Sequence, residues 1–174
     1  MYEEGRLRAI GVSNFYPDRL VDIASFARIR PMVNQVETHP LNQQHEAHEW
    51  MEKYGVQHEA WAPFGEGKGG MFTNPVIASV AEKYGKTVAQ VILRWEIQRG
   101  IVVIPKSVRK ERMAENFDVF DFTLSDGDMA LMATLDKKES AFFSHYDPNI
   151  VEWFVKMVEE RKKHHDSSKE KKAW

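Results

Sequence analysis

Short β-branched and apolar runs alternate along this chain with stretches whose apolar residues recur every three or four positions. Leu7–Val12 is an apolar run interrupted only by Arg8, and it ends in Ser13-Asn14. That pattern predicts a buried parallel strand opening into a loop. Pro17 stands where a helix can begin without needing its missing N–H, and Leu20, Ile23, Ala24 and Ala27 follow at helical spacing. A second strand is predicted over Met32–Glu37, closed by His39-Pro40, and a helix over Glu46–Tyr54, stopped by Gly55. Val56–Ala62 is the third strand candidate, followed by Pro63 and a glycine-rich stretch over Gly65–Gly70. Asn74-Pro75 opens the next helix, with Val76, Ile77, Val80 and Ala81 as its stripe. Thr87 caps another, in which Val88, Val91, Ile92 and Trp95 are spaced i, i+3, i+4, i+7. Gly100 ends it, and Ile101–Ile104 reads as a compact fourth strand. A helix over Lys110–Asn116 follows, then one opened by Ser125 with early acids at Asp126 and Asp128.

Strands alternating with helices predict parallel βαβ units. No internal repeat interrupts them. From Arg161 to Lys172 six basic and two acidic residues occur with no apolar stripe, the composition of a solvated, frayed tail. The 174 residues are enough for one domain with a core, divided as 1–145 and a C-terminal segment with charged tail over 146–174. A formal net charge of −2 gives no reason to expect nucleic acid or an acidic membrane as partner. Cysteine is absent, which excludes disulfides, thiolate nucleophiles and cysteine-ligated metals. No apolar run approaches the roughly 18 residues that span a bilayer. Met1–Arg6 lacks the apolar core of a signal peptide, so a cytoplasmic setting is expected.

In an α/β barrel the chemistry sits at the C-terminal ends of the strands. Those four ends carry Ser13 and Asn14, Gln35, Trp61, and Lys106 with Ser107. A carboxamide ligand needs both a donor and an acceptor, which Ser, Asn and Gln side chains provide. A planar pyridine ring is well held against Trp61, and a terminal phosphate by Lys106, Ser107 and Arg112. Together they suit a nicotinamide nucleotide. No Gly-x-Gly-x-x-Gly turn is present, so the site is not of the Rossmann kind. Each residue also has a plainer explanation. Gln35 can satisfy a buried backbone group, Trp61 can be core, Lys106 and Arg112 can be surface charges, and Ser13-Asn14 can be a turn.

His39, His45, His48 and His58 raise a metal site as an alternative. His45 and His48 are three apart on a predicted helix, whereas the zincin pattern needs two histidines four apart with a glutamate after the first. A solvated helix face is the expectation, and no metal.

Gly11-Val12-Ser13-Asn14-Phe15, Asn34-Gln35-Val36-Glu37, Trp61-Ala62-Pro63-Phe64-Gly65 and Ile104-Pro105-Lys106-Ser107-Val108, the last continuing into Glu111-Arg112-Met113-Ala114-Glu115-Asn116, resemble the ordered motifs of aldo-keto reductases. The resemblance covers nearly everything from Gly5 to about Leu135. Trp61 and the segment Ser140–Trp153 are similar to the bacterial diketogluconate-reductase-like branch. It implies the C-terminal half of a (β/α)8 barrel, strands five to eight with their helices, the N-terminal half being absent. It implies NADP as cofactor and a small aldehyde or ketone as substrate. By the same resemblance Ser13, Asn14 and Gln35 would bind the carboxamide, with Trp61 stacked on the nicotinamide. Phe64 and Gly65 would lie along the pyrophosphate. Lys106, Ser107 and Arg112 would hold the 2′-phosphate, and Glu115 and Asn116 would reach the adenine.

The family's proton-donating tyrosine, with its lysine, aspartate and histidine, finds no match in this chain. Tyr2, Tyr16, Tyr54, Tyr84 and Tyr146 lie outside any corresponding context, so no catalytic residue is assigned. The stretch Met1–Gly5 is similar to the end of a helix in the family, which leads to the expectation of a truncated gene, a partial reading frame or an internal start. Two readings follow. The chain is an oxidoreductase by descent, nearly inactive alone, or it is a stand-alone half-barrel that binds nucleotide or self-assembles through its open sheet edges.

Overall fold

The computed structural model describes residues 1–170, with side chains described to Lys162. Strands β1 (Gly11–Ser13), β2 (Val33–Glu37), β3 (Gln57–Trp61) and β4 (Val102–Val103) form one parallel sheet in the order β1-β2-β3-β4. Helices α1 (Pro17–Phe26), α2 (His45–Tyr54), α3 (Pro75–Tyr84), α4 (Val88–Gln98), α5 (Lys110–Phe117), α6 (Asp126–Ala133) and α7 (Pro148–Glu170) complete the described elements, with an irregular glycine-rich segment over Gly65–Thr73. Two compact units result, Met1–Ala141 and Phe142–Trp174.

The parallel direction and sequential order agree with the alternation of strand and helix patterns. The placement as the C-terminal half of a (β/α)8 barrel, strands five to eight, is corrected. The sheet begins at the chain's own β1, holds strands one to four, and among the described residues leaves β1 and β4 as open edges. Barrel closure needs more strands, tilted and staggered into a ring, and a ladder of strands two to five residues long does not set a strand's number in a larger ring.

Strand lengths also depart from the apolar runs. Leu7 is 42% exposed and outside β1, while Ile104 is 50% exposed and outside β4. Apolar character reports a preference for burial, whereas a strand exists only where a neighbour pairs with it. The tail expectation changes too, because α7 runs as helix through Glu170; residues 171–174 lie outside the described residues.

Within the first unit, Asn34, Val36, His58 and Ala60 are buried on one face of the sheet. Val36 packs there with Leu20 of α1, Ala47 and Met51 of α2, and Val56. A second cluster joins Met71, Ile77, Val80, Val91, Ile92, Trp95, Leu124 and Met132, and so binds α3, α4 and α6 to the glycine-rich segment. Strand alternation puts Ser13, Gln35, Glu59 and Val102, which are register partners in turn, on the opposite face. A Cβ at Gly11 would stand 2.7 Å from the Val33 carbonyl oxygen, so glycine is what lets β1 approach β2.

The helix signals in the sequence are used as read. Asn74 accepts from the amides of Val76 and Ile77, with Pro75 as the first residue of α3. Thr87 and Gln90 form a reciprocal capping box on α4, and Ser125 accepts from Asp128 N in α6. Gly55 ends α2 in the left-handed conformation as expected, and Gly85, not singled out from the sequence, ends α3 in the same way.

Candidate functional site

Two groups of polar side chains stand at the C-terminal ends of the strands. The first joins β1, β2 and β3. Ser13 Oγ donates to the Gln35 carbonyl at 3.1 Å, and Asn14 Nδ2 donates to Ser13 Oγ at 3.1 Å. Trp61 Nε1 donates to Asn14 Oδ1 at 2.8 Å. Ser13, Asn14 and Trp61 are therefore one hydrogen-bonded unit. Asn14 sits at φ 59°, a left-handed conformation that asparagine tolerates better than most residues. Gln35 is adjacent by register, but its side-chain amide donates to Glu59 Oε1.

Asn34, absent from the sequence-based site, holds this group in place. It is fully buried, donates through Nδ2 to the Phe15 carbonyl at 2.6 Å and accepts from Phe15 N at 3.3 Å. Both backbone groups of the residue after Asn14 are thus pinned to β2. The signal was present as a polar residue at a buried strand parity, between Val33 and Val36.

The second group lines a cavity of about 340 Å³. Lys106, Ser107 and Arg112 stand on one side of it with Glu115 and Asn116 of α5. Phe64 and Phe72, whose ring centroids are 5.6 Å apart, stand at the ends of the glycine-rich segment. Thr87, Val88 and Ala89, the start of α4, complete the lining. Neither Lys106 nor Arg112 is paired with a carboxylate among the described residues, so both cations are available to an anion. Ser107 Oγ accepts from Arg109 N at 3.1 Å and so shapes the turn into α5.

Glu115 does structural work as well. Its Oε1 accepts from Thr87 Oγ1 at 2.6 Å, while Gln90 Nε2 donates to the carbonyls of Glu115 at 3.2 Å and Asp118 at 2.8 Å. The α4 capping box therefore also fastens α5 beside the cavity. Phe72, Thr87, Val88 and Ala89 were not expected there, because contact between two helix starts is decided by packing and leaves no motif. Gly65 does not line the cavity. It lies at φ 53°, where an added Cβ would approach Met71 Cε and the His39 ring.

The four histidines fall into three separate hydrogen-bonded pairs. His39 Nε2 meets Glu37 Oε1 at 3.0 Å, His45 Nε2 meets Gln43 Oε1 at 3.0 Å, and His48 Nδ1 meets His58 Nδ1 at 3.0 Å. Among the described residues no group of three or more His, Cys, Asp or Glu side chains is arranged to hold a metal ion. Tyr84 donates its hydroxyl to Asp128 at 2.6 Å and accepts from Ser125 N, and no tyrosine lines the cavity. No helix of the described residues is long and apolar enough to cross a membrane.

A sequential parallel sheet whose strand ends carry amide, indole and cationic side chains defines an α/β protein with its chemistry at the carboxyl ends of its strands. The chain belongs to the aldo/keto reductase family, whose model matches residues 1–137. It is 48% identical over 139 residues to a glyoxal reductase of Bacillus subtilis, covering 80% of this chain and 50% of the relative. It is 43% identical over 137 residues to a methylglyoxal reductase of Escherichia coli, covering 79% and 50%. Among solved structures, an aldo-keto reductase of the silkworm Bombyx mori in complex with NADP superimposes with a TM-score of 0.76 at 35% identity, covering 82% of this chain and 49% of that one. The chain spans about half the length of the curated relatives it matches. The matched family domain occupies the N-terminal part of this chain, with strands one to four, which replaces the assignment to a C-terminal half.

Proposed function

We propose that this chain binds NADP(H) and contributes that cofactor site to the reduction of small aldehydes and ketones. The observation that carries the reading is the convergence of Lys106, Ser107 and Arg112 with Glu115 and Asn116 on one cavity. Two cations without carboxylate partners and a hydroxyl suit a phosphate monoester, and the donor set fits the 2′-phosphate of NADP. The aromatic rings of Phe64 and Phe72 and the α4 start offer apolar walls for a base, with Glu115 and Asn116 beside them. Phe64, which lines the cavity, would lie along the pyrophosphate, while Gly65 beside it lets the chain pass close over Met71 and the His39 ring. Ser13, Asn14 and Gln35 would hold the carboxamide, and Trp61, already oriented by Asn14, would lie against the nicotinamide. When bound, the cofactor supplies a hydride to a carbonyl carbon; the residues named here bind and orient it.

The similar glyoxal reductase and methylglyoxal reductase point to short carbonyl compounds as substrates. Trp61 and the segment Ser140–Trp153 favour the bacterial diketogluconate-reductase-like branch. As no tyrosine of this chain matches the family's proton donor by motif, the chain alone is expected to turn over carbonyl substrates far below the typical range of about 1–10³ per second. A second reading, self-association, is favoured by the open edges at β1 and β4 and by the exposure of Val102 and Ile104 beside them. Sedimentation equilibrium distinguishes it from a monomer.

The test is a fluorescence titration of the protein and its Arg112→Ala variant with NADP and with NAD. A charged hydrogen bond is worth about 1.5–3 kcal/mol before the discount for exposure, so a loss of about tenfold for NADP is expected, with NAD nearly unchanged. Equal losses for both nucleotides would mean that Arg112 supports the fold and does not read the phosphate. Absence of binding to either nucleotide by the unmodified protein would overturn the reading.

A further inference from the structure

Glu37, the last residue of β2, carries a carboxylate that is 0% exposed and lies outside the cavity. Three donors converge on it. Ser140 Oγ donates to Oε2, Ala141 N donates to Oε1 at 2.8 Å, and His39 Nε2 meets Oε1 at 3.0 Å. Burial alone would raise this carboxyl, but the hydrogen bonds from His39, Ser140 and Ala141 outweigh it and leave the group below its usual range. It is held as an anion with its oxygens occupied.

Both branches of that bonding reach the glycine-rich segment. On one branch, the His39 ring lies under Gly65, where a Cβ would come within 3.5 Å of the ring. On the other, Lys68 Nζ donates to the Ala141 carbonyl at 3.4 Å. Directly after Lys68, Gly69 sits at φ +65°, and a Cβ there would come 2.8 Å from Leu41 Cδ1, so the segment is seated closely on the loop that follows Glu37. The same loop is tied to the returning chain by Lys137 N to the Leu41 carbonyl at 2.9 Å and by Gln43 N to Asp136 Oδ1 at 3.0 Å. Five residues of the segment, Gly65, Glu66, Gly67, Gly69 and Gly70, have positive φ, so its short 3-10 turns are broken by kinks and do not run as one continuous helix. Its course is set from outside, and its two ends carry Phe64 and Phe72 to the cavity wall.

We infer that Glu37 is a positioning residue of the cavity: by clamping His39 and the Ser140–Ala141 strap it fixes the Gly65–Thr73 segment, and with it Phe64 and Phe72, against a bound nucleotide. The inference rests on the proposed NADP site and deepens it. Glu37 does not touch the cavity; it acts through the segment.

The experiment compares the full chain with Glu37→Ala, Glu37→Gln and Ser140→Ala by two readouts, NADP affinity and the rate of tryptic cleavage after Lys68 relative to cleavage elsewhere. Glutamine can remake all three contacts, its Oε1 accepting from His39 and Ala141 N and its Nε2 donating to Ser140 Oγ. Loss of the clamp in Glu37→Ala is expected to weaken NADP and speed cleavage after Lys68 by about tenfold each, the factor that roughly 1.4 kcal/mol represents. Glu37→Gln is expected to restore both to within about twofold, and Ser140→Ala to shift both by about threefold, as for one hydrogen bond of ordinary net worth. A purely structural role would lower thermal stability while leaving affinity and relative cleavage where they were, and that result overturns the inference. Should Glu37→Ala not fold, unchanged affinity and cleavage in Ser140→Ala overturn it equally. NADP binding by the unmodified protein that is the same in every variant sinks this inference alone. No binding by the unmodified protein sinks the site reading, and this inference with it.

Discussion

Acidification is expected to destabilise the protein through His58. The ring is 1% exposed and sits between α2 and the sheet in a chain of three hydrogen bonds. The Thr38 hydroxyl meets the Val36 carbonyl at 3.2 Å and His58 Nε2 at 2.7 Å, and His58 Nδ1 meets His48 Nδ1 at 3.0 Å. One assignment satisfies all three of these bonds. Thr38 donates to Val36, His58 Nε2–H donates to Thr38, and His48 Nδ1–H donates to His58 Nδ1. A further proton on His58 would confront His48 without an acceptor. Burial, then the nearby His48 and Arg99, lower its pKa from 6.5 to about 3. The unfolded chain takes up this proton near pH 6.5, while the folded chain resists until about pH 3. Stability from this group is therefore complete above pH 6.5 and is lost as pH falls through that window. At about 1.4 kcal/mol per pH unit per proton, the loss between roughly pH 6 and pH 4.5 comes to about 2 kcal/mol.

The assay is urea unfolding of the protein and of His58→Gln across that pH range. Glu96, fully buried with neither carboxylate oxygen bonded among the described residues, has its pKa pushed well up by burial and acts in the opposite sense. It does so in both proteins and cancels in the difference. The unmodified protein should lose about 2 kcal/mol more than His58→Gln on going from roughly pH 6 to pH 4.5. Parallel profiles would refute the reasoning, and would mean that water or a shift of His48 accommodates the proton.

Gln90→Ala removes the donor to the Glu115 and Asp118 carbonyls and the acceptor for Thr87 N. It is expected to cost about 1–3 kcal/mol in denaturant unfolding and to weaken NADP as α5 loosens; an unchanged midpoint would contradict the role of the capping box. Asn34→Ala leaves both backbone groups of Phe15 without their partner and should cost a similar about 1–3 kcal/mol. Because Trp61 bonds to Asn14 in the same loop, its emission should also shift, and an unaltered spectrum would detach Asn34 from the site.

Much of the local structure follows from residues alone. Pro17, Asn74-Pro75, Thr87 and Ser125 open helices, and Gly55 and Gly85 close them, because caps and left-handed stops depend on a few neighbouring atoms. Parallel order was legible in the alternation of strand and helix, and Lys106, Ser107 and Arg112 stood out as candidate anion-binding residues because each carries its chemistry on its own side chain; the structure brings them to one cavity. Only the tertiary structure decided the rest. Strand lengths depended on which neighbour paired with which residue, so apolar Leu7 and Ile104 fell outside the sheet. The extent of the sheet was decided by which strands pair with one another, and motif order along the chain does not encode it. Asn34, Thr87 and Glu37 acquired their parts largely from groups far along the chain, as the bonds of Asn34 to Phe15, of Thr87 to Glu115 and of Glu37 to Ala141 illustrate. A side chain's type states what it can bond. Which atoms arrive beside it is settled by how the whole chain packs, and no local pattern records that.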